Sequence, residues 1–268
     1  MKPTSKLLKK IYVDSDLTSP EVLLLTSGNV AAFCGRCPGS EETNDDCAGV
    51  IETDRGVVLI VVDGVGGGPM GHKASATAVE SIIKQVQQSA SDDLRAAILD
   101  GIEIANGEIL EMEIGAATTL AVVEIQDSVS RAYHVGDSQT LIVGQRGSIK
   151  WKSTPHSPVG YAVESGMLDE VDAMYHEHRH YVSNLVGSRT MHIEIGPSQP
   201  LAARDTIIVG SDGLYDNVHM DEVVQLGRIG KPLDRTTNLV KLARERMMQD
   251  DASQPGKPDD LTVLLFTK

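Results

Sequence analysis

The stretch of residues 57–68 constrains this chain more than any other. Six consecutive aliphatic residues, VVLIVV at positions 57–62, lead into Asp63, which is followed by a glycine-rich segment. Because this apolar run is continuous rather than alternating, it predicts a β-strand buried on both faces. A carboxylate is costly inside such a strand, so Asp63 is expected at its end, where the core opens to solvent. The glycines would allow a tight turn and a close backbone approach to whatever Asp63 binds.

Composition limits the class of protein. The chain has 268 residues, 41% of them hydrophobic but only 3% aromatic, so its core must be aliphatic. No repeat and no Pro/Ser-rich linker divides it. We therefore expect a leader over residues 1–20, then one domain over residues 21–268, with a flap-like excursion over residues 145–200. The net charge of −14 argues against nucleic-acid and membrane partners, which require a cationic surface. An acidic protein can still bind phosphate through metal cations.

The sequence contains no apolar run long enough for a transmembrane helix and no signal-peptide pattern, so a cytoplasmic location is expected. We also expect a monomer. The cysteines are Cys34, Cys37 and Cys47, an odd number that fits a reducing compartment rather than a disulfide framework. Cys34 and Cys37 could form a redox pair or half a zinc site. Since no second cysteine pair exists, plain thiols are the favoured interpretation.

The periodicity along the chain predicts clusters of antiparallel strands separated by paired helices. A turn at residues 52–56 joins two apolar strands as a hairpin. Helical spacing follows over residues 74–90, and a second helix follows that one. Strands are predicted around residues 118–144, at 206–209 and at 261–266, with helices at 221–226 and 232–249. This order favours an α+β layered sandwich over an alternating parallel sheet.

Aspartates follow or precede several of these apolar strands. Single aspartates are ordinary turn residues, and a strand, a glycine turn and a helix occur in many α/β proteins. Several aspartates at strand ends, however, could converge on one edge, where they would repel one another. Mg²⁺ and Mn²⁺ prefer carboxylate, carbonyl and water oxygens, so these ions would offset the repulsion. The stretches concerned contain Asp45 and Asp46, Asp63, Asp137, Asp212, and Asp259 with Asp260.

Six short motifs occur in an order and spacing that resemble the metal-dependent serine/threonine protein phosphatases, the protein phosphatase 2C-like family, in its bacterial form. Each motif is weak alone, but the six in order cover nearly the whole chain from residue 20. They are Asn44-Asp45-Asp46, Asp63-Gly64 with its glycines, Ala117-Thr118-Thr119, Gly136-Asp137-Ser138, Ser211-Asp212-Gly213 and Asp259-Asp260-Leu261-Thr262.

The resemblance implies two central antiparallel β-sheets flanked by pairs of helices, with a metal centre at one end. It implies that Asp63, Asp212 and Asp259 carry catalysis by holding two Mn²⁺ or Mg²⁺ ions. Asp63 would bridge the ions, the Gly64 carbonyl would be a further ligand, and Asp46 would act through water. Asp137 matches the position that holds a third ion in bacterial members. Asp45 and Asp260 are expected beside these ligands.

The same resemblance implies the reaction. Water activated by the two cations would attack phosphorus in line with the serine or threonine oxygen of a phosphorylated protein substrate, without a phosphoenzyme. Ser138 and Ser211 are then structural residues rather than nucleophiles, because neither lies on the strand–serine–helix elbow of a serine hydrolase.

Some positions depart from the family pattern. Glu41 stands where the family has an arginine that binds the substrate phosphate, and Arg36 in the preceding loop is the candidate to replace it. Asp45 stands where glutamate is commoner. Val65 replaces the histidine of animal members, as is usual in bacterial ones, which leaves proton donation to metal-bound water. Ala117 and Pro155 also differ from the usual residues.

The histidine-rich stretch at residues 175–180 has two interpretations. Alternating histidines could bind a metal from one face of a strand, but an exposed segment of the excursion is favoured.

Two functions therefore stay open. The first is an active metal-dependent phosphatase acting on phosphoserine or phosphothreonine. The second is a pseudophosphatase that keeps the fold but serves as a binding or regulatory module. Glu41 motivates the second hypothesis, because a carboxylate near the phosphate site would repel the substrate.

Overall fold

The computed structural model describes residues 8–65, 69–89, 93–249 and 253–268. Its helices are α1 (Pro69–Gln88), α2 (Leu94–Glu111), α3 (Pro158–Glu164), α4 (Glu170–Ala173), α5 (Asp212–Tyr215), α6 (Met220–Arg228) and α7 (Pro232–Met248). Its strands are β1 (Leu8–Tyr12), β2 (Glu21–Leu24), β3 (Asn29–Gly35), β4 (Asp46–Glu52), β5 (Val57–Val65), β6 (Ala117–Thr118), β7 (Leu120–Gln126), β8 (Val129–Val135), β9 (Gln139–Val143), β10 (Ile149–Lys152), β11 (Glu194–Ile195), β12 (Gln199–Pro200), β13 (Thr206–Gly210) and β14 (Leu261–Thr267).

The strands form two antiparallel sheets, which confirms the predicted layered α+β sandwich. The first sheet has the order β1-β4-β5-β7-β8-β11, with β6 and β12 pairing at its margins. The second has the order β10-β9-β13-β14-β3-β2. Helices α1 and α2 cover the outer face of the first sheet, and α5, α6 and α7 cover that of the second.

Strand β5 lies in the middle of the first sheet, between β4 and β7. Val58, Ile60 and Val62 pack against helices α1 and α2. Their neighbours in the strand, with side chains on the opposite face, pack into the core between the two sheets. Residues 57–62 are all fully buried, which confirms the prediction that this continuous apolar run is a strand covered on both faces.

The predicted hairpin is confirmed and fixes the register of the first sheet. Its turn is closed by mutual hydrogen bonds between Thr53 and Gly56, whose N···O distances are 2.8 and 3.3 Å. From Glu52 opposite Val57, the pairing continues without a shift to Asp46 opposite Asp63. The turn chemistry at one end of the hairpin therefore sets two carboxylates opposite each other at its other end.

The leader predicted over residues 1–20 is partly incorrect. Residues 8–12 form β1, an edge strand paired with β4 from Leu8 opposite Glu52 to Tyr12 opposite Ala48. Tyr12 is buried and contributes to the core between the sheets. Lysines at positions 9 and 10 are typical of an exposed edge strand, and they conceal its apolar pattern.

The excursion over residues 145–200 is attached to both sheets. It begins with β10, which extends the edge of the second sheet by pairing with β9. It returns through β11 and β12, which pair with β8 of the first sheet. Between these strands lie the short helices α3 and α4.

Candidate metal centre

The predicted site aspartates lie where six strand ends meet at one end of the two sheets. Strands β4, β9 and β14 begin there, and β3, β5 and β13 end there. In the second sheet, Gly210 at the end of β13 is opposite both Gln139 and Val263. This register brings the segments containing Asp137, Asp212 and Asp259 together, although they are far apart in the sequence.

The backbone of Asp63 is held by the two threonines of the motif at 117–119. Its carbonyl accepts hydrogen bonds from the Thr119 N–H (2.8 Å) and the Thr118 hydroxyl (2.8 Å). Its N–H donates to the Thr119 hydroxyl oxygen at 3.2 Å. Ser138 is fully buried against the same Thr119 hydroxyl, at 2.7 Å. The threonine motif therefore fixes the position of the Asp63 backbone.

Gly64 permits the close approach that the glycine-rich segment predicts. A Cβ at Gly64 would lie 2.3 Å from the Gly71 carbonyl oxygen, so a side chain there would collide with the start of α1. A Cβ at Gly71 would in turn lie 2.8 Å from Asp45 Oδ2. The glycines at 66–68 lie outside the described residues.

Ser211 connects the two sheets at the site. It is fully buried, and its hydroxyl donates to Asp46 Oδ2 at 2.6 Å. The Ser211 hydroxyl oxygen also accepts the backbone N–H of Thr262 at 3.1 Å. Asp46 itself is buried at the start of β4, and Asn44 accepts its N–H. Ser211 thus holds Asp46 and Thr262 in place through its hydroxyl, and the prediction that it is not a nucleophile stays a prediction.

Asp260 connects three loops through its carboxylate. Its Oδ1 accepts the N–H of Cys37 and its Oδ2 accepts the N–H of Asp45, both at 2.7 Å. Asp45 is linked further to β5, because its carbonyl accepts the Gly64 N–H at 3.1 Å. Asp45 and Asp260 therefore lie beside the aspartate cluster, as expected.

The cluster is electrostatically unfavourable without cations. Burial raises the pKa of Asp63, and the charges of Asp212, Asp46, Asp259 and Asp137 raise it further. Burial and the Asp212 charge raise the pKa of Asp137 to about 8 and that of Asp259 to about 7. Such shifts mean that the carboxylates compete for protons unless other positive charge is supplied.

Sequence reasoning missed two charged residues of this cluster, Lys257 and Asp216. The ammonium of Lys257 makes ion pairs with Asp212 Oδ2, with Asp259 Oδ2 at 2.9 Å and with Asp216 Oδ2 at 3.2 Å. Asp216 lies four residues after Asp212, and that helical spacing puts both on one face. The spacing was a usable signal. Lys257, two residues before Asp259, gave no comparable one.

The donor set fits hard divalent cations. Asp212 Oδ1 and Asp45 Oδ1 are buried and have no hydrogen-bond partner in the described part of the chain. Unpaired buried carboxylate oxygens are costly, and Mg²⁺ or Mn²⁺ would satisfy them. Asp63, Asp137 and Asp259 supply further carboxylate oxygens within the same charged cluster.

Arg36 lies at the edge of this region. Its guanidinium donates to the Glu42 carbonyl at 3.4 Å and lies 3.6 Å from Asp16 Oδ2. The Arg36 charge also acts on Asp260, whose pKa is raised mainly by burial. Glu41 is exposed. The role of Arg36 in phosphate binding stays a prediction.

A separate polar cluster lies beneath the excursion. One ring nitrogen each of His134 and His156 and a Glu194 carboxylate oxygen lie within 4.8 Å of one another, which is compatible with metal binding on distance alone. The ring nitrogens that face Glu194 are the two Nε2 atoms, at 3.7 Å for His134 and 3.1 Å for His156. However, His156 Nδ1 accepts the Gly136 N–H at 3.1 Å, so its proton must be on Nε2. Nε2 of His134 lies 3.0 Å from the Thr154 carbonyl and must also carry a proton. Both nitrogens are therefore donors, and the cluster is a hydrogen-bonded support for Gly136 rather than a metal site.

The other alternative metal sites find no support. His178 and His180 are exposed within the excursion, as the favoured interpretation predicts. Cys34, Cys37 and Cys47 are free thiols, and burial raises the pKa of each. A raised thiol pKa makes metal binding and redox exchange less favourable.

A cavity of about 120 Å³ lies between the aspartate cluster and the excursion. Its walls include Asp137 and Asp216 on one side, with Val159, Met174 and Arg179 from the excursion. The cavity therefore offers mixed apolar and charged surface next to the carboxylates.

A family model described as protein phosphatase 2C matches residues 37–249. The chain belongs to this family. It is 27% identical over 223 residues to the protein phosphatase PhpP of Streptococcus pneumoniae, an alignment that covers 78% of this chain and 85% of that relative.

Solved structures share the fold. The serine/threonine phosphatase of S. agalactiae superimposes with a TM-score of 0.76 at 25% identity, covering 89% of this chain and 98% of that one. The catalytic domain of the serine/threonine protein phosphatase PstP, solved in complex with 2 manganese ions, gives a TM-score of 0.70 at 21% identity, covering 89% and 96%. None of the described helices has both the length and the apolar character that a membrane crossing requires.

Proposed function

We propose that this chain is a metal-dependent protein serine/threonine phosphatase. The observation that carries the proposal is the convergence of Asp63, Asp212 and Asp259, from both sheets, on one acidic centre. There, the buried Oδ1 of Asp212 has no hydrogen-bond partner within the described ranges. Family membership and the named phosphatase relatives support the same reaction. The pseudophosphatase alternative is not favoured, because the named relatives are phosphatases and the aspartate positions are all retained.

Asp63, Asp212 and Asp259 would hold two Mn²⁺ or Mg²⁺ ions, with the Gly64 carbonyl as a further ligand. Asp46 would act through water. Divalent cations at such a site lower the pKa of bound water to near neutral and neutralise charge on the phosphoryl oxygens. The substrate would be phosphoserine or phosphothreonine in a protein.

The remaining residues would keep this arrangement rigid. Thr118 and Thr119 hold the Asp63 backbone, and Ser211 orients Asp46. Outer partners of ligands typically change metal affinity or activity by about 10–100-fold when removed. Substrate side chains next to the phosphorylated residue could enter the cavity below the excursion, and Arg36 is the proposed phosphate-binding residue. A monomeric state and a cytoplasmic location stay predictions, and a third ion at Asp137, which the resemblance implies, depends on the charges beside that carboxylate.

The test is hydrolysis of a phosphothreonine peptide with and without Mn²⁺. Wild type should show metal-dependent turnover, and Asp63→Asn combined with Asp212→Asn should abolish it, because these changes remove two ligand charges. Asp100→Asn is the matched control, since Asp100 is exposed on α2, away from the site. Absence of turnover in a wild-type protein that binds Mn²⁺ by calorimetry would contradict the enzyme assignment for simple peptides.

A further inference from the structure

Lys257 is built into the acidic centre rather than resting on its surface. Its ion pairs with Asp212, Asp216 and Asp259 leave only 23% of its side chain exposed. Its backbone is fixed at both polar groups by Asn217: the Lys257 N–H donates to Asn217 Oδ1 at 2.8 Å, and Asn217 Nδ2 donates to the Lys257 carbonyl at 3.0 Å. Since Asn217 directly follows Asp216, the lysine and one of its carboxylate partners are positioned by the same turn.

The lysine occupies one side of the centre. It binds Asp212 through Oδ2, while the buried Oδ1 of the same carboxylate has no hydrogen-bond partner among the described residues. Asp212 can therefore bind the ammonium and a divalent cation at the same time, through different oxygens. The walls of the neighbouring cavity include Asp137, Asp212 and Asp216, which places these three carboxylates on a common surface.

The charge effects agree with this placement. The Lys257 charge lowers the pKa values of Asp137, Asp216 and Asp259, which are raised chiefly by burial. The largest charge effects on the pKa of Asp63 come from carboxylates instead. The ammonium thus acts on Asp216 and Asp259, with which it is paired, and on Asp137, rather than chiefly on Asp63.

We infer that Lys257 is a tethered cation that takes the place of a third divalent ion beside Asp137 and Asp212. The inference rests on the proposed function, because it concerns the same metal centre. The chain then binds two divalent ions, and the positive charge that a third would bring is supplied by the protein itself. A fixed ammonium that already holds Asp212 Oδ2, Asp216 Oδ2 and Asp259 Oδ2 repels a further cation at those oxygens, while Asp212 Oδ1 stays available to one of the two ions.

Counting bound Mn²⁺ tests this inference. Equilibrium dialysis against increasing Mn²⁺, with the metal measured by atomic emission and the sites resolved by calorimetry, should give two ions per wild-type chain. Lys257→Gln removes the charge at similar length and should bind a third ion. Lys257→Arg keeps the charge and should bind two. Lys241→Gln is the matched control, because it changes the net charge equally at an exposed residue of α7 that, among the described residues, is paired with Glu245 alone. It should bind two.

A third ion in the wild type would overturn the inference by itself, even if the Lys257→Gln variant failed to fold. A count of two in folded Lys257→Gln would also overturn it, because something other than the lysine would then exclude the third ion. The counts are separate from turnover. Two ions in wild type and three in the variant, without hydrolysis, would uphold the role of Lys257 while contradicting the phosphatase assignment. A wild type that binds no Mn²⁺ would contradict both.

Discussion

Replacing Ser211 with alanine tests how the two sheets are joined at the acidic centre. The hydroxyl of this buried side chain donates to Asp46 Oδ2 at 2.6 Å and accepts the Thr262 N–H at 3.1 Å. The substitution removes both hydrogen bonds, so Asp46 Oδ2 and the Thr262 N–H each lose a hydrogen-bond partner in the interior. Asp46 belongs to the first sheet and Thr262 to the second, so the change affects the contact between the sheets.

The magnitude follows from these two losses. A hydrogen bond to a charged group contributes about 1.5–3 kcal/mol, and a stranded buried N–H costs about 1–3 kcal/mol. The two terms share one oxygen atom and do not simply add, so the free energy of unfolding should fall by about 2–4 kcal/mol. That is a large part of the ~5–15 kcal/mol typical of a folded domain.

Urea unfolding followed by the fluorescence of Trp151, the only tryptophan, measures this change. Ser130→Ala is the matched control: Ser130 is equally buried, but its hydroxyl donates one long bond, 3.3 Å, to the Gln199 carbonyl. It should cost about 1 kcal/mol. Mn²⁺ affinity should weaken about 10–100-fold in Ser211→Ala, because Asp46 loses its orienting partner, and should be unchanged in the control.

Two outcomes would refute this reasoning. A loss of stability in Ser211→Ala no larger than that in Ser130→Ala would mean that the bond to Asp46 contributes little. Turnover at saturating Mn²⁺ reduced by more than about 10⁴-fold, with normal metal affinity, would indicate that Ser211 is a nucleophile after all. A structural serine should retain most of its turnover once metal is saturating.

Two further predictions concern backbone space and pH. Gly213→Ala should destabilise the fold by several kcal/mol, because its Cβ would lie 1.9 Å from the Asp260 carbonyl oxygen. Gly107→Ala, whose Cβ would meet nothing within 4 Å on α2, should instead stabilise it by about 0.5–1 kcal/mol, and thermal unfolding of both variants checks the contrast. Asp137 and Asp259 have pKa values raised to about 8 and about 7, so the stability that they contribute to the metal-free protein is fully present below about pH 4 and is lost as pH rises from there to about 7–8. Mn²⁺ affinity should therefore increase between pH 6 and 8 with release of protons, and calorimetry in buffers of different ionisation enthalpy would detect this. An affinity independent of pH over that interval would contradict the shifts.

The buried strand and the hairpin could be predicted from sequence because their causes are local. Continuous apolar character over residues 57–62 requires two covered faces, and the turn at 53–56 fixes the pairing of Asp46 with Asp63. The aspartates next to strand ends could also be recognised from sequence, because their position beside an apolar run is a local feature. That these aspartates come together from two sheets could be predicted only from the family resemblance, because the sequence alone does not show which strand ends are neighbours.

Elements at the edges of the sheets were harder to predict. In β1, the lysines at positions 9 and 10 interrupt the alternation that would reveal a strand. In β10, Ile149 and Trp151 alternate with lysines, which is the period-two pattern of a strand. The pattern was not interpreted as a strand, because these residues fall within the predicted excursion from the sheets. Propensity is weakest where a strand has one neighbour and its side chains are largely exposed.

Lys257 could not be predicted because its role depends on long-range charge. A lysine in a polar segment is ordinarily solvated, and its partner Asp212 is 45 residues away in the sequence. Its ion pairs exist only after β13 and β14 have been brought side by side. The same is true of Ser211 and Asp46, which are 165 residues apart.

The position of the acidic centre would link the proposed metal binding to the packing of the sheets. Asp46 and Asp63 come from one sheet, and Asp212 and Asp259 flank strands of the other, so neither sheet alone contains the cluster. Folding must bring these carboxylates together against their repulsion, and the apolar core between the sheets supplies the free energy for it. Ser211, Asp260 and Lys257 offset part of the remaining cost through hydrogen bonds and ion pairs. Cations that bind carboxylates from both sheets bind the packed state only, and they should stabilise the contact between the sheets more than either sheet itself.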